Sequence, residues 1–333
     1  MINPSPLRLE TEPWQRELAD AVGDPSELLR LLELVPDQLP GVRLDRADFP
    51  LRVPRHYVGL MRRGDPADPL LAQVLPREIE QRTTAGYLAD PVGDLAASRD
   101  HGVLHKYNGR ALLVTTGACA VHCRYCFRRH FPYAELSALG QWQQALETLQ
   151  GMPDVREVIL SGGDPLSLSD SRLEQLVDGL RAVPHLRRLR IHTRLPVVLP
   201  NRVTERLVAT LAGTRLTPVC VIHANHPNEI SPELGDAMRR LKEAGVTLLN
   251  QSVFLKFIND DADTLVNLSE SLFGIGVLPY YLHLLDPVAG AAHFDVPQAH
   301  VAPIYRELRA RLPGYLVPRI VRETAGEPFK VPI

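Results

Sequence analysis

The chain is poor in cysteine, nearly devoid of lysine and without a long apolar run. It has only 4 cysteines in 333 residues, and three of them, Cys119, Cys123 and Cys126, fall within eight positions. That crowding excludes a disulfide framework and makes metal or redox chemistry the leading reading. Among 37 basic residues the lysines are Lys106, Lys242, Lys256 and Lys330 alone. Arginine cannot form an imine at neutral pH, so an enzyme that needs a lysine nucleophile has four choices here. No apolar stretch is long enough to span a bilayer, and residues 1–14 lack a basic start followed by an apolar core. A cytoplasmic protein with no membrane association is expected. The formal net charge of -2 leaves no electrostatic footprint for nucleic acid.

What is present is length enough to bury a sizeable core. Up to about residue 100 the chain is rich in proline and charge, with helical patterns at Trp14–Ala21 and Ser26–Leu34 and a short helix or turn at Asp68–Leu75. It reads as a helical extension whose function is not legible. From residue 111, short β-branched apolar runs alternate with segments of helical period. Strands are expected at Ala111–Thr116, Val155–Ser161, Leu189–Thr193, Val219–Ala224, Thr247–Phe254 and Val277–Leu285. Helices are expected between them, among them Ser169–Ala182 and Asn201–Ala212, the latter opened by an Asn cap after Pro200. Six such units predict an α/β fold with a parallel sheet, a partial (βα)6 barrel whose active residues gather at the carboxyl ends of the strands.

The segment from Thr116 to Cys126 follows the first of these strands, which puts its cysteines on that face. Three thiolates from one loop suit an iron–sulfur cluster and leave a fourth iron open to a small molecule. A zinc site would want a fourth ligand, with His122 or His130 as the conceivable donors. Cys220 stands too far off in sequence to be counted. The next strand ends in Ser161–Gly162–Gly163–Asp164–Pro165, where two glycines permit close backbone approach.

The C-x3-C-x2-C spacing, with an aromatic residue before the last cysteine, resembles the signature of the radical S-adenosylmethionine (SAM) superfamily. That resemblance implies a 4Fe–4S cluster whose open iron binds SAM, and it assigns the Ser161–Asp164 turn to SAM. A wider set of segments resembles the lysine 2,3-aminomutase family: residues 49–54, 105–110, 126–129, 161–166, 193–197, 223–229 and 250–253. Membership implies pyridoxal phosphate (PLP) bound as an imine to a lysine near the C-terminus, which matches Lys330. It places Lys106, Tyr107 and Arg110 at the PLP phosphate and adds His192 and Gln251 to the cofactor-binding residues. Arg128 matches the arginine that holds the substrate carboxylate, with Arg129 as its neighbouring competitor. Asp286 and Glu323 match two acids that receive a lysine side-chain ammonium, Glu323 standing where the family more often has Asp and having Arg319 and Arg322 as alternative ion-pair partners.

The resemblance divides the chain into an N-terminal helical extension (1–100), the barrel (101–316) and a C-terminal PLP-binding segment (317–333). Residues read alone leave Lys256 open as the imine lysine, whereas Lys242 lies on the solvated face of a helix over Leu234–Ala244. His283 replaces a tyrosine, and Ala325–Phe329 replaces a glycine-rich run. With the early end after Lys330, these features resemble the shorter EpmB branch, which makes (R)-β-lysine for elongation factor P. The expected activity is conversion of L-α-lysine to β-lysine, with a cellular one-electron reductant as partner and elongation factor P as an indirect one. A homo-oligomer is within the family's range, although the longer enzymes assemble through a C-terminal extension. Two alternatives are an aminomutase for another amino acid, such as glutamate, and a non-catalytic iron–sulfur carrier or scaffold. Two acids would repel a second carboxylate, and a carrier has no use for a PLP lysine.

Overall fold

The structure, a computed structural model, describes residues 12–45 and 49–333. Nine strands form one sheet in chain order: β1 (Val103–Tyr107), β2 (Arg110–Thr116), β3 (Glu157–Gly162), β4 (Arg188–Thr193), β5 (Thr217–Ile222), β6 (Thr247–Phe254), β7 (Leu278–Leu284), β8 (Arg319–Arg322) and β9 (Val331–Pro332). β2 through β8 pair in parallel. Helices follow β2 to β7, at Trp142–Gln150, Asp170–Ala182, Glu205–Ala212, Pro232–Glu243, Ala262–Gly274 and Gln298–Arg311. The six βα units are therefore those the sequence predicts, and the sheet remains unclosed.

The sheet extends past those units at both ends. β1 runs antiparallel to β2 through a two-residue Asn108–Gly109 turn, with Tyr107 opposite Arg110. Gly109 has φ +75°, which the tight hairpin turns favoured by Asn-Gly require. At the other end β8 and β9 pair antiparallel, with Arg322 opposite Val331. That register brings Glu323, just after β8, beside Lys330, just before β9.

The expected helix over Asn201–Ala212 starts later. Pro200–Arg202 is a separate 3-10 turn, and Thr204 caps the helix by accepting from the Leu207 amide at 3.0 Å. The Asn201 side chain donates to Glu17 instead. The first hundred residues hold short helices, Pro13–Ala19, Pro25–Leu31, Arg55–Gly59 and Pro69–Ala72, the last capped by Asp68. Their apolar residues, Trp14, Leu28, Tyr57 and Leu70 among them, share one core with the barrel strands and helices. Arg202, fully buried, lies 4.4 Å over the Trp14 indole and is neutralised by Asp170 at 2.7 Å. Among the described residues no helix is long and apolar enough to cross a membrane.

Candidate active site

One cavity at the carboxyl ends of the strands is lined by Lys106, Tyr107, Arg110, Cys119, Cys123, Cys126, Arg128, Ser161, Gly162, Gly163, Asp164, His192, Gln251, Asp286, Glu323 and Lys330. The barrel thus gathers every residue that the sequence singles out for cofactor or substrate. Lys242 is exposed and Lys256 lies 4.9 Å from the Phe257 ring, and neither lines this cavity. Lys106 and Lys330 are its lysines.

The cysteine loop leaves β2 and is pinned by backbone hydrogen bonds from His122 to Arg52 and from Arg124 to Gln73. None of its three cysteines is in a disulfide. Burial, and then the neighbouring thiols, push Cys119 well above the ordinary thiol range and Cys126 up to about 11. Thiolates here need a cationic partner. Arg194 offers one, donating to Cys123 Sγ at 2.7 Å while its other nitrogen reaches Glu229 at 3.0 Å and Gln73 at 2.7 Å. A soft, all-thiolate donor set opening on a cavity fits an iron–sulfur cluster. His122 Nδ1 and His130 Nε2 donate to the carbonyls of Pro50 and Ala289, which fixes the orientation of each ring. Cys220 is buried in the main apolar core, away from the cavity.

The Ser161–Asp164 turn has a structural reason beside the cofactor one. A Cβ on Gly163 would sit 2.3 Å from the Ala118 carbonyl oxygen, and one on Gly162 would sit 2.7 Å from that of Thr116. The glycines let β3 press against the root of the cysteine loop, where the Gly163 and Asp164 amides donate to Thr116 and Ala118. Asp164 lines the cavity and also has a structural task. Its carboxylate accepts from the Thr193 hydroxyl at 2.7 Å and from the amides of Leu166, Arg194 and Leu195. It ties β3 to β4. The Ser161 hydroxyl is used by Arg128 at 3.0 Å.

Across the cavity runs a chain of alternating charges. Arg128 Nε donates to Asp94 at 2.6 Å; Lys106 Nζ lies 2.5 Å from Asp94 and 2.9 Å from Glu323; Lys330 Nζ lies 2.6 Å from Glu323. Lys106 also donates to the Val92 carbonyl at 2.9 Å. Arg110, stacked 4.6 Å from the Tyr107 ring, keeps an unpartnered buried Nε. Glu323 pairs with neither Arg319 nor Arg322. Despite burial, the two lysines hold its carboxyl well below the usual range. Asp286 is the opposite case. Burial first, then the charge on Glu323, push it up to about 7, and its Oδ1 is buried with no partner.

Arg129, the competitor of Arg128, is committed to Glu80 at 2.9 Å. His192 and His283 each carry a buried unpartnered Nε2, while His223 accepts from Gln251 at 2.9 Å. Burial keeps all three rings neutral, His223 pushed down to about 3. An orphaned acid, unpartnered imidazoles and a lysine in the same cavity make a polar lumen that fits PLP and an amino acid. Sequence reasoning missed Asp94, Arg194 and His223 as members. Asp94 lies in a stretch without pattern, and Arg194 and His223 sit inside segments that it quoted only as resemblance.

Residues 113–268 match the Radical SAM superfamily model. Three relatives are each called L-lysine 2,3-aminomutase. That of Escherichia coli is 50% identical over 97% of this chain and 94% of its own. That of Haemophilus influenzae is 47% identical over 98% and 96%. That of Acetoanaerobium sticklandii, a longer protein, is 35% identical over 96% of this chain and 78% of its own. Half of the residues are thus shared with the E. coli relative along nearly the whole of both chains, and the chain belongs to the lysine 2,3-aminomutase family of radical SAM isomerases, whose cofactors are a 4Fe–4S cluster, SAM and PLP.

Proposed function

We propose that the protein isomerises L-α-lysine to β-lysine, and that the product is (R)-β-lysine destined for elongation factor P. The observation that carries the substrate is the pairing of ends in one lumen: Arg128 for a carboxylate, and Asp286, with its unpartnered Oδ1, for a cation. A diamino acid satisfies both, while glutamate would set a second carboxylate against Asp286 and Glu323. The elongation-factor branch is supported by His283, by Ala325–Phe329, and by 50% identity with the E. coli relative against 35% with the A. sticklandii one.

In this reading the bound cofactors would supply radical chemistry at the substrate β-carbon, from the cluster and SAM, and an imine π-system for nitrogen migration, from PLP. The chain does the rest. Cys119, Cys123 and Cys126 hold the cluster, with Arg194 compensating the charge on Cys123. The Ser161–Asp164 turn would contact SAM, and His192 and Gln251 line the same cavity. Lys330 would anchor PLP and Lys106, Tyr107 and Arg110 would hold its phosphate, while Lys106 also keeps Glu323 in place. Arg128 holds the carboxylate in a forked contact, and Asp286 and Glu323 receive the ε-ammonium, fixing which hydrogen faces the radical.

The test is incubation of the reconstituted enzyme with lysine, SAM and a chemical reductant, followed by chiral separation of the products. (R)-β-lysine is expected. Preferential turnover of glutamate, or the (S) product, would overturn the respective part of the proposal.

A further inference from the structure

We propose that Asp94, contributed by the N-terminal segment, is a positioning residue that aims Arg128 at the substrate carboxylate. The inference rests on the reading of Arg128 above. Asp94 is 2% exposed, and its two oxygens are divided between Arg128 Nε at 2.6 Å and Lys106 Nζ at 2.5 Å. Asp94 occupies the Nε edge of the guanidinium and Ser161 takes one Nη1 hydrogen. Among the described residues no partner takes a bond from Nη2, so the outer Nη1/Nη2 edge is the one left for a forked contact with a carboxylate.

The aspartate is itself fixed. Its amide and that of Leu95 donate to the two oxygens of Asp90, both at 2.9 Å. Gly93, at φ +70°, approaches the turn that carries Lys330 so closely that a Cβ there would lie 3.1 Å from the Ala325 Cβ. One short loop therefore touches the carboxylate-binding arginine and packs on the turn that presents the PLP lysine. Without the Asp94 charge, Arg128 would be a buried cation left to the field of Glu323, the other carboxylate that acts on it and the one assigned to the ammonium end of the substrate. The guanidinium would turn from the carboxylate.

The test compares equilibrium binding of L-lysine with that of 1,5-diaminopentane, which has the ammonium and lacks the carboxylate, in the holoenzyme. Asp94→Asn should cut the preference for lysine over the diamine at least tenfold, and Asp94→Glu by a smaller factor. In turnover the same order should appear in KM for lysine, with kcat within threefold and iron content unchanged. Equal weakening of both ligands, or an unchanged preference, would overturn the proposal, since a merely structural aspartate cannot distinguish them. Should Asp94→Asn fail to accumulate, Asp94→Glu decides by the same preference. Wild-type enzyme that binds lysine but does not isomerise it would count against the activity and leave the Asp94 result readable.

Discussion

Lys330 and Glu323 face each other at 2.6 Å across the β8–β9 turn, and the second oxygen of Glu323 holds Lys106 at 2.9 Å. One carboxylate thus neutralises both lysines of the lumen. Glu323→Gln should destabilise the cofactor-free protein by about 2–4 kcal/mol at neutral pH, because the partly buried Lys330 ammonium loses its anion and Lys106 is left with Asp94 alone. The sign of the pH dependence follows from the lowered pKa of Glu323. Its contribution is full above the ordinary glutamate pKa of about 4.3 and is lost as pH falls below it. Denaturant titrations of both proteins should therefore differ at pH 7 and converge under acid conditions; a gap that widens in acid would refute the assignment.

Asp286 titrates the other way. Its pKa, raised to about 7 by burial and by Glu323, leaves it half-protonated near neutrality, and only the ionised form attracts a substrate ammonium. Lysine affinity should rise with pH through that region and level off above it. Asp286→Asn should remove this step and weaken lysine binding about ten- to a hundredfold, the worth of a charge-assisted contact of roughly 1.5–3 kcal/mol. SAM binding should change little. An unaltered pH profile in the mutant would place the titrating group elsewhere.

Cys126→Ala should abolish cluster assembly and all SAM cleavage, since two thiolates do not hold a site-differentiated cluster. Cys220→Ala should retain iron, because that thiol lies in the apolar core. Iron analysis after anaerobic reconstitution separates the two; equal loss in both mutants would contradict the three-cysteine site.

Much of the barrel and its lining was legible in the sequence because parallel strands buried on both faces give continuous apolar runs, and because the cysteine spacing is local. The β1–β2 hairpin was equally local, signalled by Asn108–Gly109, yet Lys106 and Tyr107 on β1 break the apolar pattern by facing the lumen. β8 and β9 were hidden for the same reason: each is short, and Arg319, Arg322 and Pro332 dilute them. The charge chain from Arg128 to Lys330 could not be read at all. Asp94 precedes Arg128 by 34 positions, and Lys106 precedes Glu323 by 217, separations at which only the closed fold shows who pairs with whom. The tie that Asp164 makes between β3 and β4 was hidden as well, since only tertiary structure brings four protein donors to one carboxylate.

The central claim is that this lumen holds PLP on Lys330 beside the cluster. The most direct measurement is borohydride reduction of the PLP-loaded enzyme followed by peptide mapping, in the wild type and in Lys330→Ala. The account predicts a pyridoxyl group on the C-terminal peptide of the wild type, none anywhere in the mutant, β-lysine formation at background in the mutant, and unchanged iron in both. A pyridoxyl group found on Lys106, the other lysine of the cavity, or a Lys330→Ala enzyme that isomerises lysine at the wild-type rate, would contradict it.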